Sequence, residues 1–308
     1  TFSGRFIVKA RPFERLDLQL SADYTRQRNA LTLGRSEAPL TQTDLLFALD
    51  PILGVVPPRN PITVLQAAPT TKYDFTGRTS FTLDGNGQEL DHWGLSFKAD
   101  YDVTDNLSFT SITAYRDLEP DFFIDIDASE FELGDVFVFI DQEQFSQEFQ
   151  AKFSNDYLNG VFGLYFLREE LASSQAAFGD DIFTFGGAPL DFLRTIGDDQ
   201  VTKSYAAFTQ WTFDVTDRLA VTAGLRYTYE EKDYFRTTTT TSANCAADPL
   251  CGVFFNPSFN STFAFEADDD WDAWTPSFTV DYSLSDENLI YAGVSRGFKS
   301  GGFNGRAN

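Results

Sequence analysis

The sequence has no methionine, one histidine and two cysteines, and sets only 23 basic residues against 46 acidic ones. Each shortage excludes something. Without a methionine, Thr1 is not read as a translation start, and "TFSGRFIVKARPF" has neither the basic n-region nor the apolar run of a secretion signal. The expectation is therefore that a further segment precedes it. His92, the lone histidine, stands beside Trp93 in an alternating stretch, with no P-loop, nucleophile elbow or HExxH elsewhere, so no enzyme is expected. The scarcity of bases argues against a nucleic-acid partner, because phosphate binding needs a basic face. Cys245 and Cys251, in "CAADPLC", have no further soft ligands nearby for a zinc site. A disulfide closing that short loop in an oxidising compartment is expected instead. Long apolar runs are missing too. Runs such as "VFVFI" (Val136–Ile140) and "LYFL" (Leu164–Leu167) stay far below the roughly 18 residues of a membrane helix.

What is abundant is aromatic: 33 Phe, 12 Tyr and 4 Trp, residues that suit strands. Several stretches alternate with period two, the mark of strands with two different faces. In "LDLQLSADYT", Leu16, Leu18, Leu20, Ala22 and Tyr24 share one face and Asp17, Gln19, Ser21, Asp23 and Thr25 the other. "LAVTAGLRYTYE" (219–230), "QFSQEFQAKF" (144–153) and "WTPSFTVDYSL" (274–284) repeat the pattern. Very short connections join them in pairs: the near copies "VTDN" (103–106) and "VTDR" (215–218), then "SDEN", "PFER" and the longer "SNDYLN". Their Asp and Asn side chains suit tight turns. Ten strands are predicted near 3–11, 16–26, 90–102, 107–117, 143–153, 160–170, 203–214, 219–235, 272–284 and 289–298, with extra strand near Tyr73–Leu83.

The remaining connections are long: 27–89, 118–142, 171–202 and 236–271. This one-sided loop length selects an all-β, antiparallel transmembrane barrel with short periplasmic turns and long extracellular loops over a soluble sandwich. Tyr24, Trp93, Tyr101, Tyr115, Tyr227, Tyr229 and Trp274 sit near strand ends, as interfacial girdles require. The long connections hold 24 acids against 7 bases, charge that a lipid-facing strand would not tolerate. Among their residues, Phe122, Phe123, Phe183, Phe185, Phe254 and Phe255 are candidate ligand-facing aromatics, set against the alternative that they pack the loops together. No cofactor is expected. Asp268, Asp269 and Asp270 are weak candidate ligands for a loop-bound Ca2+ ion. Their spacing fits no EF-hand, and solvated charge or loose cation bridging to lipid headgroups is the competing reading.

Three stretches carry a family resemblance. "SQEFQAKFSNDYLNGVFGLYFLRE" (146–169), "YAAFTQWTFDVTDRLAVTAGLRYTYEEKDY" (205–234) and "DENLIYAGVSRGFKSGGFN" (286–304) together resemble the barrel of TonB-dependent outer-membrane receptors, in order and spacing. The residues that carry the last motif are Arg296, Gly297, Phe298, Lys299, Gly301 and Gly302. The resemblance implies a barrel of about 22 strands with a plugged lumen, of which this chain would supply ten. The plug domain and the short TonB-contacting box are expected outside it. The implied function is TonB-coupled uptake of a scarce nutrient: a ferric siderophore, another metal chelate, or a glycan or aromatic compound. The implied setting is the bacterial outer membrane. Outer-membrane lipid and lipopolysaccharide, TonB and a small-molecule ligand are the implied partners. A passive porin or an adhesive surface barrel would share the fold. Glycines 297, 301 and 302 should mark bends or close backbone approach, the glycine pair lying where the strand leaves the membrane. Arg296 and Lys299 are read as structural rather than ligand-binding, pairing with acids on a neighbouring strand or loop.

Overall fold

The computed structural model describes residues 1–29, 40–43, 63–67, 88–124, 135–185, 188–241 and 261–304. These hold the strands β1 (Phe2–Phe13), β2 (Leu16–Asn29), β3 (Leu40–Thr43), β4 (Thr63–Ala67), β5 (Gln88–Asp102), β6 (Leu107–Ile124), β7 (Asp135–Ser154), β8 (Leu158–Phe185), β9 (Ala188–Thr216), β10 (Leu219–Thr241), β11 (Ser261–Ser285) and β12 (Asn288–Ser295). Ten of them form one sheet in the order β1-β2-β5-β6-β7-β8-β9-β10-β11-β12, while β3 and β4 pair separately. Every neighbour is antiparallel. The ten predicted strands are the ten of this sheet, which is open, with β1 and β12 as its edges. β3 and β4 lie in the first long connection, where the sequence suggested strand only near Tyr73–Leu83, outside the described residues.

The short turns close as their side chains dictate. In "VTDN" the Thr104 hydroxyl accepts from the backbone N–H of Asn106 (3.2 Å) and Leu107 (3.0 Å). In its near copy the Thr216 hydroxyl accepts from Arg218 (3.2 Å) and Leu219 (3.1 Å). Asn155 does the same with its amide oxygen, accepting from Tyr157 (2.9 Å) and Leu158 (2.8 Å). Each side chain supplies the acceptor that the tightening backbone lacks.

The two faces of the sheet follow the alternation. Leu20 pairs with Phe97, Tyr24 with Trp93, Tyr115 with Phe145, Phe166 with Tyr205 and Tyr227 with Trp274, so all of these stand on one face. That face is open, with Phe149 at 55% and Trp274 at 54% exposure, whereas Thr110 (2%) and Ser204 (4%) on the opposite face are buried. Large apolar side chains turned outward and small polar ones crowded inward are the pattern of a barrel wall between lipid and lumen. Aromatic residues recur eight positions apart on four outward faces: Trp93 and Tyr101, Phe145 and Phe153, Tyr205 and Phe213, Trp274 and Tyr282. Eight residues cover about 27 Å along a strand, which barrel tilt brings close to the ~25 Å apolar band. Ring contacts tie the upper belt together in groups: Trp93–Tyr115 at 5.1 Å, Phe145–Phe166 at 6.3 Å with Phe166–Tyr205 at 5.2 Å, and Tyr227–Trp274 at 4.8 Å. The membrane-spanning segments lie between the two belts.

The strands do not stop at the upper belt. β6 runs to Ile124, β7 starts at Asp135, β8 and β9 continue to Phe185 and from Ala188, and β10 and β11 extend to Thr241 and from Ser261. Much of the predicted loop at 118–142, 171–202 and 236–271 is thus strand. Alternation of apolar and polar residues ends where lipid ends, but the backbone ladder has no reason to end there. Above the membrane both faces accept polar side chains while the inter-strand hydrogen bonds persist.

Candidate ligand-facing wall of the barrel

Above the upper belt, the lumen side of β9, β10 and β11 gathers charge and aromatic rings. The parity that turns Tyr227 and Tyr229 outward turns Glu230, Lys232, Tyr234 and Arg236 inward. Trp271 lies opposite Glu230 on β11, and Asp198 opposite Arg236 on β9. Arg236 is 6% exposed and Tyr234 7%. The buried guanidinium of Arg236 lies 3.7 Å from Asp198, and its Nε donates to the Thr238 hydroxyl at 3.3 Å. Asp198 also accepts from the Tyr234 hydroxyl and, at 3.4 Å, from that of Ser173. Burial and this hydrogen bond to a carboxylate push the Tyr234 phenol up to about 12.

One turn of the alternation lower, Lys232 holds the segment that follows β12. Its ammonium donates to the Ser300 hydroxyl and the Gly301 carbonyl, both at 3.0 Å, lies 3.2 Å from Glu230, and sits 5.7 Å from the centre of the Trp271 ring. The Ser300 hydroxyl in turn donates to Glu230. Phe303 stacks on Tyr234 at 5.2 Å and meets Trp271 edge-on at 6.4 Å. Above these, Phe265 lies 6.4 Å from Tyr234. Phe263 and Phe265 face the lumen yet stay 60% and 44% exposed. The result is an inward aromatic column, Trp271–Phe303–Tyr234–Phe265–Phe263, on a base of satisfied ion pairs.

The motif residues behave differently from a continuing strand. The ladder of β12 ends at Ser295, with one further bond from the Arg296 N–H to the Pro276 carbonyl at 3.0 Å. From there "GFKSGGFN" turns onto the lumen face of β11. Gly301 is the close approach that its glycine anticipated: a Cβ there would lie 2.5 Å from the Trp271 indole. Gly297 and Gly302 have nothing within 4 Å of that position, so neither marks a contact. Phe298 is half-buried, and Arg296 and Lys299 are exposed, without an ion pair among the described residues.

The other predicted site residues fall in several places. Phe122 lies opposite Val138 on the lumen side of β6 and lines a hollow with Leu90 and Pro120. Phe123 points outward, buried at 6%, and packs edge-on against Phe137 at 4.7 Å. These two do not share a site. Phe183 and Phe185 belong to the far end of β8, opposite Leu190 and Ala188. Phe254, Phe255, Cys245 and Cys251 lie outside the described residues. Asp268, Asp269 and Asp270 are consecutive on β11, opposite Asp233, Lys232 and Glu231. Strand alternation sends Asp269 inward and its neighbours outward, so the three do not converge on one point. Among the described residues no group of three His, Cys, Asp or Glu is placed to hold a metal ion. Sequence reasoning missed Asp198, Lys232, Tyr234, Arg236, Trp271 and Phe265. The signal that would have found them is parity, carried past Tyr229 and Trp274 beyond the membrane.

The chain matches the family described as TonB dependent receptor-like, beta-barrel, over residues 11–308. Among solved structures, the ferric yersiniabactin uptake receptor FyuA from Yersinia pestis superposes with a TM-score of 0.57 at 13% identity, over 94% of this chain and 36% of that one. The siderophore receptor PiuA from Acinetobacter baumannii gives 0.50 at 12% identity, over 91% and 39%. The chain therefore spans well under half the length of these similar structures, and at such identity the likeness is one of fold.

Proposed function

This chain belongs to the TonB-dependent receptor family, whose barrels lie in the bacterial outer membrane, and we propose that it forms part of the wall of a receptor taking up a scarce nutrient with energy delivered through TonB. The observation that carries this reading is the inward aromatic column above the membrane. A wall that only separated lipid from water would keep large apolar rings on its lipid side. Phe263 and Phe265 instead stand exposed toward the lumen, where only a solute or another protein segment can cover them. Tyr234, Trp271 and Phe303 below them already satisfy one another and hold the column upright.

Exposed ring faces bind flat or weakly polar surfaces by stacking. The cargo class that suits them is a metal chelate with aromatic groups, a polyphenol, or a sugar ring. FyuA is by name a ferric yersiniabactin uptake receptor and PiuA a siderophore receptor, which makes ferric chelates the first class to test.

The experiment is uptake of radiolabelled ferric chelates by iron-limited cells expressing the receptor, with and without a working TonB system. Uptake that requires TonB, and that weakens roughly tenfold in apparent affinity in a Phe265→Ala variant, supports the reading, a loss of about 1.4 kcal/mol. Uptake that is equal in the two backgrounds would make the barrel a passive channel.

A further inference from the structure

Among the described residues, Arg226 has no anionic partner. It stands on β10 between the two belts, opposite Phe208 on β9 and Thr275 on β11, and faces the lumen. Its guanidinium lies 5.5 Å from the centre of the Tyr165 ring and 5.7 Å from that of Phe208. Its Nε donates to the Thr228 hydroxyl at 3.0 Å. Neither Nη nitrogen has a hydrogen bond or an ion pair with a described residue. Glu148, the lumen-facing acid in register with Tyr165, accepts instead from the Gln150 amide. In a chain with 46 acids and 23 bases, an unpaired arginine is the unexpected arrangement.

The surroundings hold the guanidinium in place. A Cβ on Gly163 would lie 2.1 Å from the Phe208 ring, so only glycine there lets that ring lie flat across β8 and form one side of the cradle. Tyr165 supplies the second ring. Two rings and the Thr228 hydroxyl fix the plane and leave the paired Nη edge as a free fork. A planar fork of this kind matches a carboxylate with two parallel N–H···O bonds. A half-desolvated cation in such a wall gains far more from an anion than an exposed arginine does.

We propose that Arg226 is a receiving site for a carboxylate group within the lumen, bound bidentately at the Nη edge and walled by Tyr165 and Phe208. The group is carried either by a solute or by an acidic side chain of polypeptide lodged in the barrel. The site stands apart from the aromatic column and does not depend on the identity of the cargo.

Arginine-selective labelling tests it. The receptor, extracted from outer membranes in detergent, is treated with phenylglyoxal in the presence and absence of citrate, and the adduct at Arg226 is followed by peptide mass mapping. The exposed Arg296 serves as the internal reference. If a free carboxylate is the ligand, Arg226 reacts without citrate and slows about tenfold at about ten times the dissociation constant, while Arg296 is unaffected. If a resident carboxylate fills the site, Arg226 does not react. Carbodiimide then couples residue 226 to an Asp or Glu in an Arg226→Lys variant whose barrel remains folded by gel mobility. Labelling that citrate leaves unchanged, citrate protection equal at both arginines, or an unreactive Arg226 with no coupled product each overturns the proposal.

Discussion

Phe303 stacks on Tyr234 with ring centres 5.2 Å apart and planes within 15°, although β11 separates the strand before Phe303 from the strand that carries Tyr234. The stack can form only because the segment after Ser295 leaves the ladder and crosses the lumen face. It ties the last described residues to β10 as well as to β11, alongside the bonds that Lys232 makes to Ser300 and Gly301.

Phe303→Ala should release that segment. An aromatic pair of this kind contributes about 1 kcal/mol beyond the area it buries. Hydrogen exchange at residues 297–303 is expected to accelerate several-fold, with little change in β10 and β11 themselves. Unchanged exchange would show that Lys232 alone holds the segment.

The two adjacent glycines should differ. Gly301→Ala places a methyl group 2.5 Å from the Trp271 indole, whereas the same change at Gly302 meets nothing within 4 Å. Overpacking of this kind costs about 1–3 kcal/mol. Tryptophan fluorescence and thermal unfolding should shift for Gly301→Ala and stay near the parent for Gly302→Ala. Equal effects would contradict the placement of Trp271.

Tyr234 should ionise late. Its phenol is pushed to about 12, first by burial and then by its hydrogen bond to Asp198, against an ordinary value near 10. The folded state therefore holds the proton more tightly than the unfolded state. The stability this confers is complete below about pH 10 and is lost as pH rises toward 12. Absorbance titration should show a late tyrosinate that disappears in Tyr234→Phe.

Outward, above the belt, acids crowd together. Burial first, then Asp141 and Glu143, raises the Asp117 carboxyl, and burial with Asp117 and Asp141 raises Glu119. A raised carboxyl favours the folded state while protonated, and that contribution is lost as pH climbs through the shifted value. Asp117→Asn should therefore stabilise at about pH 7 by a few tenths to about 1 kcal/mol. The gain should vanish at about pH 3, where the parent carboxyl is protonated as well. Thermal unfolding at both pH values checks this, and an equal gain at both would refute it.

How far the sequence could be read depended on what constrained it. Between the belts, lipid on one side and water on the other force strict alternation, so Leu20, Tyr24, Trp93 and Trp274 declared their face directly. The turns were legible because Thr104 and Thr216 act on backbone only two and three residues away. Outside the membrane that contrast disappears. The extensions of β6 to β11 looked like loops, and Asp268, Asp269 and Asp270 looked like a cluster although a strand sends them to two faces.

Composition, parity and turn chemistry by themselves determined an antiparallel membrane barrel wall, its ten strands and its aromatic belts, because those features depend on local spacing and on the solvent each face meets. The tertiary structure alone decided that "GFKSGGFN" turns inward, that Phe303 reaches Tyr234 across β11, and that Arg226 rests between Tyr165 and Phe208. These contacts join residues between 18 and 69 positions apart, and Phe303–Tyr234 and Arg226–Tyr165 each reach across an intervening strand. No periodicity within one strand encodes them. They follow from register across several strands, and from the two glycines, Gly163 and Gly301, that leave room for a ring.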